Sequence, residues 1–174
     1  MKNFIVGILI LFAASIPLTS YGKTAIARIN SAAGIRIGTV VLTELKNGVR
    51  VQAQFRNLTP GFHGFHIHSA GQCQAPFTSA GPHFELLGRT HRDHNGDMPV
   101  MLARANGLAI ATFITDRFKI ADLFDADGSA FIIHDGPDNY ANIPTDRYTP
   151  APDATTLATG DAGPRFGCGV VSAK

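Results

Sequence analysis

The sequence predicts an all-β fold, an antiparallel sandwich or barrel, on the basis of two observations. Short stretches rich in Val, Ile, Thr and Phe recur along the chain, and turn formers such as Lys46-Asn47-Gly48 separate them. No segment of useful length has the apolar spacing of a helix, and only residues 116–124 would allow a single helical turn.

Eight stretches of this kind follow one another in the chain. The first two, 24–29 and 35–45, are dense in Ile, Val and Thr, and the third, 49–56, alternates apolar with polar residues. Alternation at every second residue is the pattern of a strand with one face on the core. The later strands are expected at 62–68, 98–104, 108–115, 130–134 and 165–172.

Two long segments interrupt the strands, 69–97 and 134–165, and both are dense in Gly, Pro, Asp, Asn and Thr. Loops of such length are uncommon within a compact domain, and they are usually functional or disordered. The positions of the histidines favour functional loops.

Composition limits the classes of protein that fit the chain. It has 174 residues, of which 45% are hydrophobic and 16% charged, and these values are typical of one packed domain. A formal charge of +2, with scattered Lys and Arg, excludes the basic surface that nucleic-acid binding requires. We therefore expect no nucleic-acid partner.

The N-terminal segment is typical of a secretory signal peptide. Met1-Lys2-Asn3 precedes an apolar run over residues 4–18, and small or polar residues follow it. The run is short for a membrane span, so a retained membrane anchor is the less favoured alternative. We predict a signal peptide at 1–22 and one exported domain at 23–174, with no membrane contact once the signal is removed.

Export would place the two cysteines, Cys73 and Cys168, in an oxidising compartment. An even count of cysteines in such a compartment favours a disulfide. Two buried free thiols are the alternative.

All seven histidines lie between positions 63 and 134. Because side chains alternate along a strand, His66 and His68 would project from one face, and His63, Phe65 and Ile67 from the other. Two imidazoles side by side suit one metal ion. For His63, a hydrogen-bonded structural role beneath the site is favoured.

The first long loop adds three imidazoles and one carboxylate, which are ligand types of tetrahedral zinc. They belong to His83, His91, His94 and Asp97. Four protein ligands leave no open position, so this metal would be structural. A simple polar loop tip is the alternative, since a short His-x-x-His motif is a weak signal.

The order of these motifs resembles the copper and zinc superoxide dismutase family, and the resemblance covers nearly everything from residue 24 onward. The motifs that carry it are Gly61-Phe62-His63-Gly64-Phe65-His66-Ile67-His68, Cys73, Gly81-Pro82-His83-Phe84, His91, His94, Gly96-Asp97, Ile132-Ile133-His134 and a closing segment at 160–170. It implies a Greek-key sandwich or barrel of about eight strands with two long functional loops. Residues 138–144 are similar to bacterial members, which implies a periplasmic or extracellular location.

The resemblance also implies the cofactors and the site residues. Copper would be bound by His66, His68, His83 and His134, and zinc by His83, His91, His94 and Asp97. His83 would bridge the metals, Asp138 would orient ligands of both, and Arg165 would dock the substrate. Cys73 and Cys168 match the family's disulfide. The implied activity converts superoxide to dioxygen and hydrogen peroxide through one-electron cycling of copper, in a monomer or homodimer.

The chain departs from the commonest family pattern within the first loop. Only two residues separate His91 from His94, where many relatives have a longer insertion. Pro82 precedes His83 where Gly is usual, and Glu85-Leu86 replaces the usual polar and Pro continuation after Phe84.

Two other functions are compatible with such a fold. The domain could carry copper to a client protein without turnover, or it could be a structural domain whose histidines bind no metal. Arg165 argues against a carrier, because a carrier gains nothing from an anion-docking arginine. Six well-spaced histidines argue against a purely structural domain.

Overall fold

The fold is known from a computed structural model that describes residues 22–174. Within these residues the chain forms nine strands, one α-helix and two short 3-10 helices. The strands are β1 (Thr24–Ser31), β2 (Arg36–Leu45), β3 (Gly48–Phe55), β4 (Gly61–His63), β5 (Phe65–His68), β6 (Met101–Ala103), β7 (Ala109–Thr115), β8 (Ala130–His134) and β9 (Arg165–Ala173). The helix α1 spans Ala154–Thr159, and the 3-10 helices span Thr78–Ala80 and Ile120–Phe124. The predicted signal peptide lies almost entirely outside the described residues.

The strands pair antiparallel and form a curled sheet. Seven of them follow the order β5-β8-β9-β1-β2-β3-β7, and β4 pairs with β6 in a smaller sheet. The neighbours β1 and β9 come from opposite ends of the described chain, so long connections link strands that are not neighbours in the sheet, as in a Greek key. The all-β prediction is confirmed.

The core lies on the inner face of this sheet, and β3 shows why the sequence places it there. Val49, Val51, Ala53 and Phe55 are buried, and the single residue between each pair is exposed, as strict alternation requires. The ring of Phe65 lies 5.6 Å from that of Phe55, edge to face, and is stacked 5.2 Å from that of Phe131. These aromatic contacts join β3, β5 and β8 beneath the histidines of β5.

The predicted strand 62–68 is wrong as one element, because it divides at Gly64 into β4 and β5. The Gly64 amide leaves the ladder and donates to the carbonyl of Gly136. A Cβ at Gly64 would lie 2.6 Å from the Cβ of Ala162, so only glycine allows this close approach. The division places His63 in the small sheet and leaves His66 and His68 in the large one.

Other boundaries also differ from the predicted ones. The strand expected at 98–104 is reduced to β6, and the helical turn allowed at 116–124 is a 3-10 helix. The helix α1 was not predicted, and it lies in the second long loop. Asp153 begins it by accepting from the Thr156 amide at 2.9 Å, and Gly160 ends it with a φ of 60°.

The predicted disulfide is present between Cys73 and Cys168, whose Cα atoms lie 5.6 Å apart. It joins the first long loop to β9. Among residues 22–174, no helix combines the length and the hydropathy needed to cross a membrane.

Candidate metal centre

The site forms where the first long loop folds back along β5. Bridge contacts of the sheet type join His68 to His83 and His66 to Asp97. His134 enters from the end of β8, which pairs with β5. Residues that are up to 68 positions apart in the sequence therefore surround the two strand histidines, which are both buried.

The first group of possible ligands consists of four buried imidazoles. One ring nitrogen from each of these residues lies within 4.8 Å of the others, and the residues are His66, His68, His83 and His134. Their ring centroids confirm the close approach, with 4.1 Å between His66 and His83 and 4.9 Å between His68 and His83. The structure thus brings together the four residues that the family resemblance implies as copper ligands.

Backbone carbonyls set the orientation of two of these rings. His68 donates through Nδ1 to the carbonyl of Gly81 at 2.8 Å, and His134 through Nδ1 to that of Gly163 at 2.9 Å. In both residues Nε2 is buried without a hydrogen-bond partner. A ring whose Nδ1 holds the proton presents the lone pair of Nε2, which is the form that binds metals.

Asp138 orients the rings of His66 and His91 through Nε2, whereas the rings of His68 and His134 are held through Nδ1. Its Oδ2 accepts from Nε2 of His66 at 2.6 Å, and its Oδ1 accepts from Nε2 of His91 at 2.8 Å. In both histidines Nδ1 is buried and has no hydrogen-bond partner. Because Asp138 holds Nε2 of both rings, the lone pair on Nδ1 of each ring is free to bind a metal ion.

The second group of possible ligands shares His66 and His83 with the first. Ligand atoms of His66, His83, His91 and Asp97 lie within 4.8 Å of one another. Asp97 Oδ1 lies 2.8 Å from Nδ1 of His83 and 3.3 Å from Nδ1 of His91. His94 belongs to neither group, although its Nδ1 lies 3.2 Å from Asp97 Oδ2.

Burial keeps three imidazoles of the first group neutral, those of His68, His83 and His134. Desolvation lowers the pKa of His83 to about 4, although the hydrogen bond to Asp97 opposes this shift. Desolvation and the positive charges of neighbouring rings lower the pKa of His134 to about 3, and they also lower that of His68. Neutral imidazole is the form that a metal ion requires.

The carboxylates of the site are ionised. Burial alone would raise the pKa of Asp97, but hydrogen bonds from neighbouring imidazoles, that of His83 first, outweigh it and lower that pKa. Hydrogen bonds with His66 and His91 lower the pKa of Asp138 in the same way. In the metal-free protein, burial opposes a proton on His91, but Asp138 and Asp97 outweigh it and raise the pKa to about 9. A metal ion would displace that proton.

The donor set fits copper and zinc. Leaving a buried polar atom unpaired costs about 1 to 3 kcal/mol, and four ring nitrogens in this one site have no protein partner. All four belong to histidines of the two groups, so metal ions would satisfy them. Imidazole binds both copper and zinc, and the carboxylate of Asp97 suits the zinc side.

A cleft of about 460 Å³ leads from the surface to the first group. Its wall includes His68, His83, His134 and Arg165, together with residues of α1. Arg165 donates to the carbonyls of Phe77 at 2.6 Å and Gly81 at 2.7 Å. Desolvation lowers the pKa of Arg165. The guanidinium is therefore fixed by the first long loop at the wall of this cleft.

His63 has the structural role that the sequence favoured. Its Nδ1 lies 2.7 Å from the carbonyl of His134, and its Nε2 lies 2.8 Å from that of Thr59. It contacts the backbone below the site rather than either group.

The carbonyls of Phe77, Gly81 and Gly163 were not predicted. Every residue has a backbone carbonyl, so the sequence does not indicate which of them accept hydrogen bonds at the site.

Comparison with known proteins also indicates a site for copper and zinc. The family model described as "Copper/zinc superoxide dismutase (SODC)" matches residues 36–171. A relative named "Superoxide dismutase [Cu-Zn]" from Mycobacterium bovis is 46% identical over 130 residues, which are 66% of this chain and 54% of that protein. An "Extracellular superoxide dismutase [Cu-Zn]" from Brugia pahangi is 32% identical over 155 residues, which are 86% of this chain and 75% of that protein.

A solved structure is similar as well. It is a double mutant of a SOD-like protein from Bacillus subtilis, with a TM-score of 0.67 and 28% identity, and the match covers 87% of this chain and 98% of that one. The chain spans little more than half the length of the mycobacterial relative, but most of the length of the other two. The extent of the family match and the ligand geometry agree, and this chain belongs to the copper/zinc superoxide dismutase family.

Proposed function

We propose that this chain is a superoxide dismutase, which converts two superoxide ions and two protons into dioxygen and hydrogen peroxide. The observation that carries the proposal is the first group of imidazoles, in which three ring nitrogens are buried without a partner beside a cleft that holds a guanidinium. Membership of the family supports copper and zinc as the cofactors.

The residues divide between two metals in this proposal. His66, His68, His83 and His134 hold copper, and His83, His91, His94 and Asp97 hold zinc. His66 and His83 both occur in the two groups, but of these two rings only that of His83 is hydrogen-bonded to Asp97, which supports His83 as the bridge. Copper supplies one-electron redox chemistry when it is bound, whereas zinc has none and acts structurally.

The chain's own residues bind the anion and supply a proton. Arg165 attracts superoxide into the cleft, because a local positive charge in a narrow opening raises the encounter rate of an anion. Nδ1 of His83 is held by Asp97, so Nε2 is the atom that takes up a proton and returns it to the product. Asp138 keeps His66 and His91 in the orientation that both metals require.

We also propose that residues 1–22 are a signal peptide and that residues 23–174 act as an exported domain, in the periplasm or outside the cell. The disulfide and the extracellular relative support this location. The exported domain acts without a membrane, as a monomer or homodimer. Sedimentation analysis of the purified domain distinguishes the two states.

Metal content and turnover, measured together on purified residues 23–174, test the function. We expect copper and zinc to bind and superoxide to be consumed at a rate proportional to copper content. Copper bound without turnover would contradict the enzyme and favour a copper carrier, and no bound metal would favour a structural domain. As a test of the bridge, His83→Ala should change the copper electron paramagnetic resonance spectrum of the fully metallated protein.

A further inference from the structure

We propose that Arg117 is a positioning residue of the second metal-binding group, and that its guanidinium fixes the short turn between His91 and His94. This inference rests on the proposed zinc role of that group. It concerns the segment in which the chain departs from the commonest family pattern, where only two residues separate these histidines.

The turn between the two histidines presents its carbonyls to a single side chain. Nη1 of Arg117 donates to the carbonyl of Arg92 at 2.7 Å and to the carbonyl of His94 at 2.9 Å. Nη2 of the same guanidinium lies 3.8 Å from the carboxylate of Asp93. One planar group therefore contacts three consecutive residues of the turn.

The hydrogen bond from Arg117 to the His94 carbonyl acts on two of the proposed zinc ligands, His94 and Asp97. The carbonyl of His94 that Arg117 holds also accepts from the amide of Asp97 at 3.2 Å. The amide of His94 donates to the carboxylate of Asp97 at 3.1 Å. Movement of the turn would therefore move both His94 and Asp97 relative to His83.

The turn needs such support because its backbone is strained. Arg92 has a φ of 74°, in the left-handed region that residues with a side chain adopt at an energetic cost. A longer insertion could approach the site with relaxed backbone, but two residues leave no such freedom. The hydrogen bonds from Arg117 offset part of this cost.

A second set of hydrogen bonds holds the same segment from the other side. The Asn95 amide donates to Glu85 Oε2 at 3.0 Å, and Asn95 Oδ1 accepts from the Leu86 amide at 2.9 Å. The side-chain amide of Asn95 donates to the carbonyl of Arg117. Glu85 and Asn95 thus join the turn to Arg117, which gives a physical reason for an acidic residue at position 85.

The backbone of Arg117 is held in place by the large sheet, so its side chain can restrict movement of the turn. It lies two residues after the end of β7, and β7 is paired along its length with β3. Its side chain is 33% exposed, so truncation leaves no buried cavity. Lysine at this position could donate to a carbonyl but lacks the planar fork that contacts three residues together.

The test compares Arg117→Ala and Arg117→Lys with the parent and with Arg104→Ala. Arg104 is an exposed arginine whose side chain makes no hydrogen bond or ion pair within residues 22–174, so its removal controls for charge. Zinc affinity is measured by chelator competition. Cobalt substituted for zinc reports the ligand geometry through its visible absorption spectrum.

We expect Arg117→Ala to weaken zinc binding by about 10-fold, in the range found for residues that orient metal ligands. Its cobalt spectrum should differ from that of the parent, Arg117→Lys should recover part of the affinity, and Arg104→Ala should match the parent. Copper content should be equal in all four proteins. Equal zinc affinity and identical cobalt spectra in Arg117→Ala and the parent would overturn the proposal.

Amide hydrogen exchange of the metal-free proteins separates this inference from the proposed function. Exchange at His94, Asn95 and Asp97 should be faster in Arg117→Ala than in the parent. Unchanged exchange at these amides overturns the positioning role, whatever activity the parent has. A parent that binds zinc but does not consume superoxide contradicts only the proposed function.

Discussion

The phenolic oxygen of Tyr140 accepts a hydrogen bond from the amide of Val100 at 2.8 Å. The amide of Tyr140 in turn donates to Oδ1 of Asp138 at 2.6 Å, so this residue joins the second long loop to the segment that follows Asp97. Two segments that are 40 residues apart are thereby held together beside the site.

Replacement of Tyr140 by Phe should destabilise the metal-free protein by about 1 kcal/mol. The change removes the acceptor for the Val100 amide and leaves the ring in place, and a net hydrogen bond contributes about this amount. Urea unfolding measures the difference in the free energy of unfolding. Tyr148→Phe is the matched control, since Tyr148 is 61% exposed. An equal effect of the two changes would contradict a role for the hydrogen bond.

Replacement of Asp138 by Asn should weaken zinc binding by about 10 to 100-fold, the range for partners that orient metal ligands. The carboxylate accepts on both oxygens, from His66 and from His91, whereas an amide has a single acceptor oxygen. Chelator competition measures the affinity. Asn139→Ala is a neighbouring control, because the side chain of Asn139 contacts neither of these histidines. Full zinc affinity in Asp138→Asn would show that the ligands do not need this partner.

Replacement of Arg165 by Ala should retain copper but lose turnover and much of its dependence on ionic strength. Within residues 22–174, no ring of the first group is hydrogen-bonded to the side chain of Arg165, which donates to the loop carbonyls of Phe77 and Gly81. Loss of the local positive charge should lower the encounter rate, and salt screens that charge in the parent. Pulse or steady-state kinetics at several salt concentrations measure the effect. Parent-like kinetics would refute the role of Arg165 in attracting superoxide.

Replacement of both Cys73 and Cys168 by Ser should lower the free energy of unfolding by about 4 to 5 kcal/mol on the chain-entropy model. The bridge closes a loop with a sequence separation of 95, which greatly restricts the unfolded chain. Thermal or urea unfolding of the double variant measures the loss. The parent under reducing conditions should show a comparable loss, and a difference between these two experiments would point to an effect of the serines themselves.

The metal-free protein should be most stable near pH 6.5. His83, with a pKa of about 4, and His134, with a pKa of about 3, bind protons more weakly when folded, so stability falls as pH decreases below 6.5. His91 has a raised pKa of about 9, so its contribution is complete below pH 6.5 and is lost as pH rises through 9.

Urea unfolding of the metal-free protein between pH 4 and 9 measures both limbs of this profile. Asp97 and Asp138 have lowered pKa values, so their contributions are lost only below their ordinary value of 3.8, outside this range. His91→Gln should flatten the alkaline limb and leave the acidic limb unchanged. A decline above pH 6.5 that persists in this variant would contradict the role of His91.

The strands with clear alternation could be predicted from local sequence, because their pattern depends only on which face meets the core. Residues 49–56 are the best example, and the structure differs from that prediction by a single residue at each end. The division at Gly64 could not be predicted in this way. It depends on the approach of Ala162, almost a hundred residues later in the chain.

The set of histidines could be predicted because all seven lie between positions 63 and 134, and because their order resembles one family. The supporting residues could not. Arg117 lies 23 residues from His94 in an ordinary strand-end sequence, and the role of Glu85 depends on its contact with Asn95, ten residues later in the chain.

The sequence was thus sufficient for the all-β class, the residues available to bind metals and the pairing partners of the disulfide, since these depend on residue type and order. Tertiary structure alone decided which nitrogen of each imidazole is left unpaired, which carbonyls hold Arg165, and which side chains support the short turn after His91. Those features depend on backbone groups and distant contacts that meet only when the loops fold onto β5 and β8.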